Sequence, residues 1–213
     1  MNDNRNYKYK LDSKDVRNEF KIIAGLIKPK SKVIDLGSGD GTLLKILRDV
    51  KKTDGVGIEI SHSGVKSAKN KNIRSIQGRI DESLPFKDKA FDYAVCNVTL
   101  QMVMYPEVLL SEMKRISKKQ IITFPNFAFL LNRLDILFNG IMPRVMIPGY
   151  KWYSTGHIHQ LSIKDFKVYC KAHGISVLEV KHIGPSRFLF LPSKYLIKFF
   201  PNMFATTGVF LIK

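Results

Sequence analysis

The fold is decided by the stretch Val33-Ile34-Asp35-Leu36-Gly37-Ser38-Gly39-Asp40-Gly41-Thr42-Leu43-Leu44. A short apolar run leads into a glycine-rich segment and then into a helical pattern, so the stretch predicts a strand, a tight turn and a helix N-terminus. Nucleotide cofactors bind at such turns because the backbone can approach them closely. The spacing G-x-G-x-G differs from the G-x-G-x-x-G of dinucleotide sites, and the two aspartates would repel a pyrophosphate. The stretch therefore favours a cofactor that carries positive charge.

Another acidic residue, Glu59, closes the next predicted strand, Gly55-Val56-Gly57-Ile58-Glu59-Ile60. In dinucleotide folds an acidic residue about 20 positions beyond the glycine loop binds the ribose hydroxyls. S-adenosylmethionine carries a sulfonium, an ammonium and an adenosine ribose. Its cations suit Asp35 and Asp40, and its ribose suits Glu59. The combination predicts a site for S-adenosylmethionine rather than for NAD.

Length and composition bound the class of protein. With 213 residues, 45% of them hydrophobic and 25% charged, the chain can bury a sizeable core. We expect a single domain over residues 1–213, with residues 1–14 as a flexible polar leader. The leader lacks the apolar segment of a secretion signal, and the chain has no apolar run of about 18 residues, so we expect a cytoplasmic protein. Cys96 and Cys170 have apolar neighbours and no CxxC spacing, which predicts packed thiols.

The charge of the chain raises two further classes of partner. A net charge of +17 and a pI near 9.9 would suit a nucleic acid, but the lysines are spread over the whole chain, which favours ordinary solvated faces. Residues 187–213 interleave aromatic side chains with lysines, a composition also found at membrane surfaces. Pro192 and Pro201 interrupt any long helix there, and packing in the core or in a protein interface is the favoured interpretation. We therefore expect neither a nucleic acid nor a membrane as partner.

Helical and strand patterns alternate along the chain. A helix is predicted over residues 13–27, and it is followed by strand 33–36, helix 42–50, strand 55–60, helix 64–70, strand 73–77, strand 90–97, helix 106–116, strand 120–124, helix 163–173 and strand 175–182. This alternation predicts an α/β fold with a doubly wound, mostly parallel, Rossmann-like sheet. Phe210-Leu211-Ile212 supplies a seventh strand, for which an antiparallel position at the sheet edge is open.

The carboxyl ends of the predicted strands locate the site, because ligands of open parallel sheets collect there. The rule selects Asp35, Glu59, residues 77–80 and residues 97–99. Residues 126–161 interrupt the alternation with an apolar helix over 127–138 and an irregular stretch over 140–161. We expect this segment to cover the site.

Several of these segments resemble a known family. The glycine stretch, Gly57-Ile58-Glu59-Ile60 and Phe91-Asp92-Tyr93 resemble the class I S-adenosylmethionine-dependent methyltransferases. The order of Thr99-Leu100-Gln101, Phe124-Pro125-Asn126-Phe127 and Trp152-Tyr153, leading to Ile158-His159, is similar to the MetW family of methionine-biosynthesis proteins. The resemblance runs from about Lys32 to Val180. Its first motif is shared by the whole class, whereas the later motifs are more specific.

The resemblance implies a set of cofactor-binding residues and one departure. The implied set is Asp35, Gly37, Ser38, Gly39, Asp40, Gly41, Glu59, Ile60, Gly78, Arg79, Ile80, Asn97, Val98 and Thr99. The class commonly has an aspartate after the glycine of the adenine-contacting turn, where this chain has Arg79. Arginine has no acceptor for the adenine amino group, so it can only stack on or frame the ring. Asp81 is a substitute only if the turn is remodelled.

The candidates for catalysis lie in residues 152–159. Methyl transfer is a direct displacement that depends on alignment, and a base helps only when the acceptor is a hydroxyl. We name Tyr153 and His159 as candidates, with His157 as a weaker one, although such histidines more often bond loop carbonyls. Trp152 and Tyr153 suit substrate stacking, a lid hinge or a partner anchor equally well. The two histidines lack an acidic third ligand nearby, so no metal site is predicted.

Three functions remain in order of preference. The first is a MetW-like methionine-biosynthesis enzyme, an S-adenosylmethionine-dependent methyltransferase for a small-molecule acceptor, with S-adenosylhomocysteine as product. The alternative implied by the resemblance is a non-catalytic or sensing partner subunit in complex with homoserine O-acyltransferase. Nucleic-acid methylation comes last, because residues 97–100 read Asn-Val-Thr-Leu rather than the Asn-Pro-Pro-aromatic type that clamps a flipped base.

Overall fold

The glycine stretch lies at the centre of the fold. The computed structural model describes residues 17–143, 156–185, 187–188 and 191–213. Helix α1 spans Asn18–Leu26, strand β1 spans Lys32–Leu36 and helix α2 spans Thr42–Lys51. Apart from its first residue, β1 is buried, as expected for a central strand that is covered on both faces. The predicted strand–turn–helix is confirmed, and the first part of the predicted 13–27 helix lies outside the described residues.

The alternation continues through the first half of the sheet. The elements are β2 (Asp54–Glu59), α3 (His62–Asn70), β3 (Arg74–Gln77), β4 (Phe91–Asn97), α4 (Pro106–Ile116) and β5 (Ser117–Pro125). A short 3₁₀ helix, Leu100–Met102, lies between β4 and α4. All five strands run parallel, with β1 between β2 and β4. Their carboxyl ends therefore form one edge, which we call the carboxyl edge.

The second half of the sheet has a different connectivity. Its elements are α5 (Leu130–Asn139), α6 (Ile163–Ala172), β6 (Val177–Ile183), β7 (Arg187–Phe188), β8 (Leu191–Pro192), α7 (Ser193–Phe199), α8 (Pro201–Phe204) and β9 (Thr207–Ile212). The seven-stranded sheet has the order β3-β2-β1-β4-β5-β9-β6, and β7 and β8 form a separate pair. Strand β9 runs antiparallel to both of its neighbours, β5 and β6. The predicted fold class and its antiparallel strand are confirmed.

The position of that antiparallel strand differs from the expected one. Strand β9 lies one place inside the sheet, and β6 forms the edge. The residues explain the difference, since Val209 and Phe210 are fully buried and extend an uninterrupted apolar run. Such runs are typical of strands covered on both faces. Strand β6 is exposed or half-buried along its length, as suits an edge.

Two apolar layers hold the sheet. One face carries a cluster that includes Leu36, Phe124, Phe166 and Phe210, and the other carries a cluster that joins α1 and α2 to the sheet. Cys96 and Cys170 are buried free thiols, as the sequence predicts. Burial raises the pKa of Cys96 to about 12, so this thiol stays protonated. Within the described residues, no helix is both long and apolar enough to cross a membrane.

Candidate functional site

The glycine loop lies directly beyond the carboxyl end of β1. Gly37, Gly39 and Gly41 have φ angles of +82°, +55° and +73°, in the left-handed region that favours glycine. The N–H groups of Gly37 and Ser38 both donate to the carbonyl of Ile58, at 2.9 and 3.0 Å. The loop is therefore folded across the end of β2, next to Glu59.

Close contacts leave no room for side chains on two sides of this loop. A Cβ atom added to Gly37 would lie 2.6 Å from both Oγ1 and Cγ2 of Thr99, which follows β4. A Cβ atom added to Gly57 in β2 would lie 2.3 Å from Oγ of Ser38. The structure thus brings the predicted residues Gly37, Ser38 and Thr99 together, and it requires glycine where the side chains of Thr99 and Ser38 pack against the backbone.

Asp35 lies buried at the base of the loop. Its Oδ1 atom accepts no hydrogen bond from any of the described residues. Burial raises the pKa of Asp35 to about 7, and the negative charges of Glu59 and Asp40 add to this effect, while Arg17 opposes it. A buried carboxylate is costly without a cation or donors to satisfy it. A positively charged group beside Oδ1 would offset this cost.

Glu59 links the loop to the next helix. Its Oε2 atom accepts the N–H of Gly39 at 2.8 Å, and its Oε1 atom accepts the N–H of Ser61 at 2.9 Å. Ser61 in turn caps α3 by accepting the N–H of Gly64. Each carboxylate oxygen has two lone pairs, so Glu59 can fix the loop and still accept ribose hydroxyls.

Asp40 has a different environment from that of Asp35. Its Oδ1 atom accepts the N–H of Thr42 at 3.1 Å, and its Oδ2 atom accepts Thr42 Oγ1 at 2.8 Å and the ammonium of Lys71. Burial disfavours the charged form, but the hydrogen bonds from Lys71 and Thr42 outweigh it and lower the pKa of Asp40. Asp40 therefore stabilises the start of α2 and ties it to the end of α3.

The predicted adenine-contacting turn follows β3. Ile60 is half-buried beyond β2, Ile80 is buried, and Gly78 donates its N–H to the carbonyl of Glu59 at 3.1 Å. Arg79 donates to Oδ2 of Asp81 at 2.8 Å. The same atom accepts the N–H groups of Met104 and Tyr105.

The bonding of Asp81 bears on the adenine site. This carboxylate ties the turn to the start of α4, so it is already engaged with protein donors. Arg79 remains at the end of β3 with a side chain that is one-third exposed. The engagement of Asp81 leaves Arg79 as the residue for which a contact with adenine stays a prediction.

The end of β4 is held in an unusual conformation. Val98 has a φ angle of +56°, which is rare for a β-branched residue. Its N–H donates to both the carbonyl and Oγ1 of Thr123, each at 3.0 Å. Thr123 also donates to Oδ1 of Asn97 at 2.6 Å, and Thr99 Oγ1 donates to the Asn97 carbonyl. Strained backbone of this kind clusters at functional sites, and β5 holds it here beside the glycine loop.

Only some of the catalytic candidates lie within the described residues. Trp152 and Tyr153 lie outside the described residues. His157 is half-buried with its ring 6.1 Å from that of Phe127, and His159 is half-buried with a buried Nε2 atom. The N–H groups of Ile158 and His159 both donate to the carbonyl of Gln101.

Gln101 is a site residue that sequence reasoning missed. It lies in the 3₁₀ helix after Thr99 and is almost fully buried, and its Nε2 atom donates to the carbonyls of Pro125 at 3.2 Å and Leu161 at 3.5 Å. Gln101 thus holds the segment 156–161 against the ends of β4 and β5. The signal was present in the motif Thr99-Leu100-Gln101, which the resemblance singled out without assigning a role.

Asn126 is a second missed residue, and its role is structural. Its Nδ2 atom donates to the carbonyls of Asn202 and Ala205, and its Oδ1 atom accepts the N–H groups of Ala128 and Ile163. Its own N–H donates to the carbonyl of Thr206. This residue of the Phe-Pro-Asn-Phe motif therefore joins β5 to α6, α8 and the start of β9.

Comparison with protein families agrees with this geometry. A family model described as methionine biosynthesis protein MetW matches residues 17–212. The chain belongs to the MetW family. A curated relative, the bifunctional methionine biosynthesis protein MetXA/MetW of Rhodopirellula baltica, is 33% identical over 157 residues, which cover 68% of this chain and 25% of the relative. The MetW-family chain thus spans about a quarter of the length of that relative.

Solved structures give the fold of this MetW-family chain. A Thermotoga maritima S-adenosylmethionine-dependent methyltransferase, described as a possible histamine N-methyltransferase, has a TM-score of 0.63 and 19% identity, covering 91% of this chain and 86% of its own. An Aquifex aeolicus S-adenosylmethionine-dependent methyltransferase has a TM-score of 0.59 and 16% identity, covering 92% and 89%. Identities this low carry the fold alone. The predicted family and the class I methyltransferase fold are both confirmed.

Proposed function

We propose that this MetW-family chain binds S-adenosylmethionine at the carboxyl edge of β1, β2 and β4 and transfers its methyl group to a small-molecule acceptor. The observation that carries the proposal is the buried Oδ1 atom of Asp35, which no described residue satisfies. An ammonium group there would repay the cost of burying the carboxylate. The close contacts of Gly37 and Gly57 support it, because the side chains of Thr99 and Ser38 pack directly against the backbone around the loop.

The proposal assigns a role to each part of the site. Asp35 binds the ammonium group, and the backbone of the glycine loop follows the methionine portion. Glu59 accepts the ribose hydroxyls with its remaining lone pairs. Ile60 and residues 78–80 enclose the adenine, with Arg79 framing the ring. Residues 97–99 lie where the methyl group would be presented.

The chemistry asks mainly for alignment. S-adenosylmethionine supplies a methyl group on a sulfonium, from which an aligned nucleophile can displace it. Val98, with its left-handed φ angle, and the buried Gln101 are our candidates for the rigid surfaces beside this position. His159 is our proposed base for a hydroxyl acceptor, with Tyr153 as a further candidate and His157 as the weaker one.

The first test is thermal and calorimetric. We expect S-adenosylhomocysteine at 100 times its dissociation constant to stabilise the protein by about 2.7 kcal/mol. The Asp35→Asn variant should lose this effect. The matched control is Asp92→Asn, because Asp92 lies at the start of β4 on the opposite edge of the sheet and bonds Lys118 and the N–H of Lys32. The proposal is contradicted if millimolar S-adenosylhomocysteine leaves the thermal stability of the wild-type protein unchanged.

A second candidate function is supported by the bifunctional relative. In that protein a MetW unit shares one polypeptide with MetXA, which suggests a sensing or non-catalytic partner subunit of homoserine O-acyltransferase. S-adenosylmethionine would then act by binding one conformation of the complex more tightly than another. The test is a titration of the purified acyltransferase with this chain, with and without S-adenosylhomocysteine. The sensing role is rejected if the ligand changes neither complex formation nor acyltransferase activity.

A further inference from the structure

Exposed apolar side chains gather on one part of the carboxyl edge. Helix α5 leaves directly from the end of β5, and Leu137 and Phe138 in it are 72% and 75% exposed. Helix α7 follows β8 and packs Ile197 against Gly184, just beyond the end of β6. We call the exposed apolar residues of these two segments the apolar rim: Leu131, Leu134, Ile136, Leu137, Phe138, Ile141, Met142, Tyr195, Phe199 and Phe200. Within α5, Leu134, Leu137 and Phe138 stand three or four positions apart and share one helix face, and exposed apolar patches of this kind mark interaction sites in soluble proteins.

The rim is held in place by hydrogen bonds behind it. Asn132 is the buried residue of α5, and its Nδ2 atom donates to the carbonyl of Phe127 at 3.1 Å. Arg133 donates to the carbonyl of Ala128 at 2.6 Å. Asn126 bonds both the start of this segment and the carbonyl of Asn202 in α8, which lies next to α7 in the chain. The buried amides of Asn126 and Asn132 thus anchor the start of the segment, while apolar side chains such as Leu137 and Phe138 are left exposed.

The charges near the rim favour a protein over a membrane. Helix α5 contains one arginine, one aspartate and no lysine, whereas helices that lie on membranes carry a polar face rich in lysine and arginine. A second copy of this chain is disfavoured by its charge, because two chains of +17 would repel each other. Lys194 and Lys198 lie beside Tyr195 and Phe199 in the smaller, α7 part of the rim, where they suit acidic groups. The larger, lysine-free α5 part suits an apolar protein surface, so we favour a protein partner that offers both.

We infer that the apolar rim is the surface on which the homoserine O-acyltransferase subunit docks. The inference rests on the second candidate function proposed above. The bifunctional relative supports this occupant, because its fusion holds MetXA and MetW units at a high effective concentration. Docking here would also reach the cofactor site, since Phe127, just before α5, bonds Leu161 and contacts His157.

The experiment compares two exposed apolar positions at opposite edges of the sheet. The test variant is Leu137→Gln combined with Phe138→Gln, and the control is Val50→Gln, at the end of α2 and 67% exposed. Binding of each full-length chain to the purified acyltransferase of the same organism is measured by calorimetry. We expect the double variant to bind at least tenfold more weakly and Val50→Gln to bind like the wild type. A separate Phe199→Gln variant in α7 should weaken binding in the same direction.

Each alternative has its own outcome. A complex that forms equally well with all variants overturns the inference and leaves the partner function intact. A wild-type chain that binds S-adenosylhomocysteine but not the acyltransferase overturns the partner function and this inference together. Self-association in sedimentation that the double variant loses would identify a second copy as the occupant. Binding to phosphatidylserine vesicles that the double variant loses would identify a membrane instead.

Discussion

The two halves of the carboxyl edge differ in their most prominent feature, a buried acid in one and an exposed apolar surface in the other. At β1 and β2 a polar atom is unsatisfied, because Asp35 is buried with an Oδ1 atom that no described residue bonds. At β5 and β6 the buried amide of Asn126 has partners for both its nitrogen and its oxygen, while apolar side chains such as Phe138 face solvent. The first half thus suits a small cation, and the second suits an apolar protein surface. We expect a small ligand and a protein partner to leave such distinct signatures in one fold.

The largest expected effect is at Asp35, where substitution should remove the unsatisfied charge. The folded-state pKa of about 7 lies above the ordinary 3.8, so the folded protein holds the proton more tightly than the unfolded chain does. The cost of the carboxylate is therefore absent below about pH 4 and complete above about pH 7. At pH 8, Asp35→Asn should raise the free energy of unfolding by up to about 4 kcal/mol and lower affinity for S-adenosylhomocysteine about 100-fold.

Urea unfolding of the wild type and the variant from pH 4 to pH 8 measures this contribution as a difference. The gain should shrink as the pH falls. In the Asp92→Asn control the sign should reverse, because hydrogen bonds from Lys118 and Lys32 lower the pKa of Asp92 and stabilise its charged form. A pH-independent difference between wild type and Asp35→Asn would contradict the assignment of a raised pKa.

The second-largest effect on stability is expected at Asn126, whose side-chain nitrogen and oxygen both have hydrogen-bond partners. Asn126→Ala leaves the N–H groups of Ala128 and Ile163 and the carbonyl of Ala205 without this bond. We expect a loss of about 3 kcal/mol in the free energy of unfolding with little direct effect on cofactor contacts. Guanidinium unfolding measures it. Asn139→Ala is the control, since Asn139 bonds Asp135 on the exposed side of α5 and should change stability by less than about 0.5 kcal/mol.

A third effect concerns the close approach of the glycine loop to β4. Gly37→Ala adds a Cβ atom 2.6 Å from Thr99 at a φ angle of +82°, and should cost about 2 kcal/mol of stability and weaken ligand binding. Gly25→Ala is the matched control, because a Cβ atom there meets nothing within 4 Å and lies in α1. That control should be neutral or stabilising by up to about 1 kcal/mol. Combining Gly37→Ala with Thr99→Ala should restore part of the loss.

The smallest expected effect is on the stability of the rim variants. Because Leu137 and Phe138 already face solvent, their replacement by glutamine should change the free energy of unfolding by less than about 0.5 kcal/mol. The Val50→Gln control should change the free energy of unfolding by a similarly small amount. A loss of several kcal/mol would show that the side chains pack within the folded chain, and the contrast between the two halves would then fail.

The predictability of the two halves also differs, for a physical reason. In the first half, local patterns suffice: the predicted helix 106–116 matches α4, and the carboxyl-end rule places Asp35, Glu59 and Thr99 around one loop. In the second half, the decisive contacts join distant residues, such as Asn126 and Ala205, 79 positions apart. Helix α5 begins at Leu130 instead of 127. In the residues before it, the side chain of Asn126 accepts the N–H of Ala128, and that of Asn132 donates to the carbonyl of Phe127. No local periodicity encodes such bonds.

Individual residues follow the same division. The left-handed conformation of Val98 was not predictable, because it depends on the double hydrogen bond to Thr123 in β5. Gln101 lies in a motif that was recognised, but its role depends on carbonyls contributed by Pro125 and Leu161. Pro192 and Pro201 were correctly expected to prevent one long helix, and two short helices, α7 and α8, begin at or after them.

The insertion of β9 between β5 and β6 sets an order for folding. Strand β6 pairs with β9 and not with β5, so the ladder from β5 to β6 closes only after residues 207–212 have entered the gap. The pairing of Gln120 with Ile212 closes a loop of 92 residues, and such long closures slow folding. Among strands β1 to β5 the longest closure is shorter, 60 positions between Val33 and Tyr93. We therefore expect refolding to protect the amides of β1 before those of β6, in two phases that pulsed hydrogen exchange can separate.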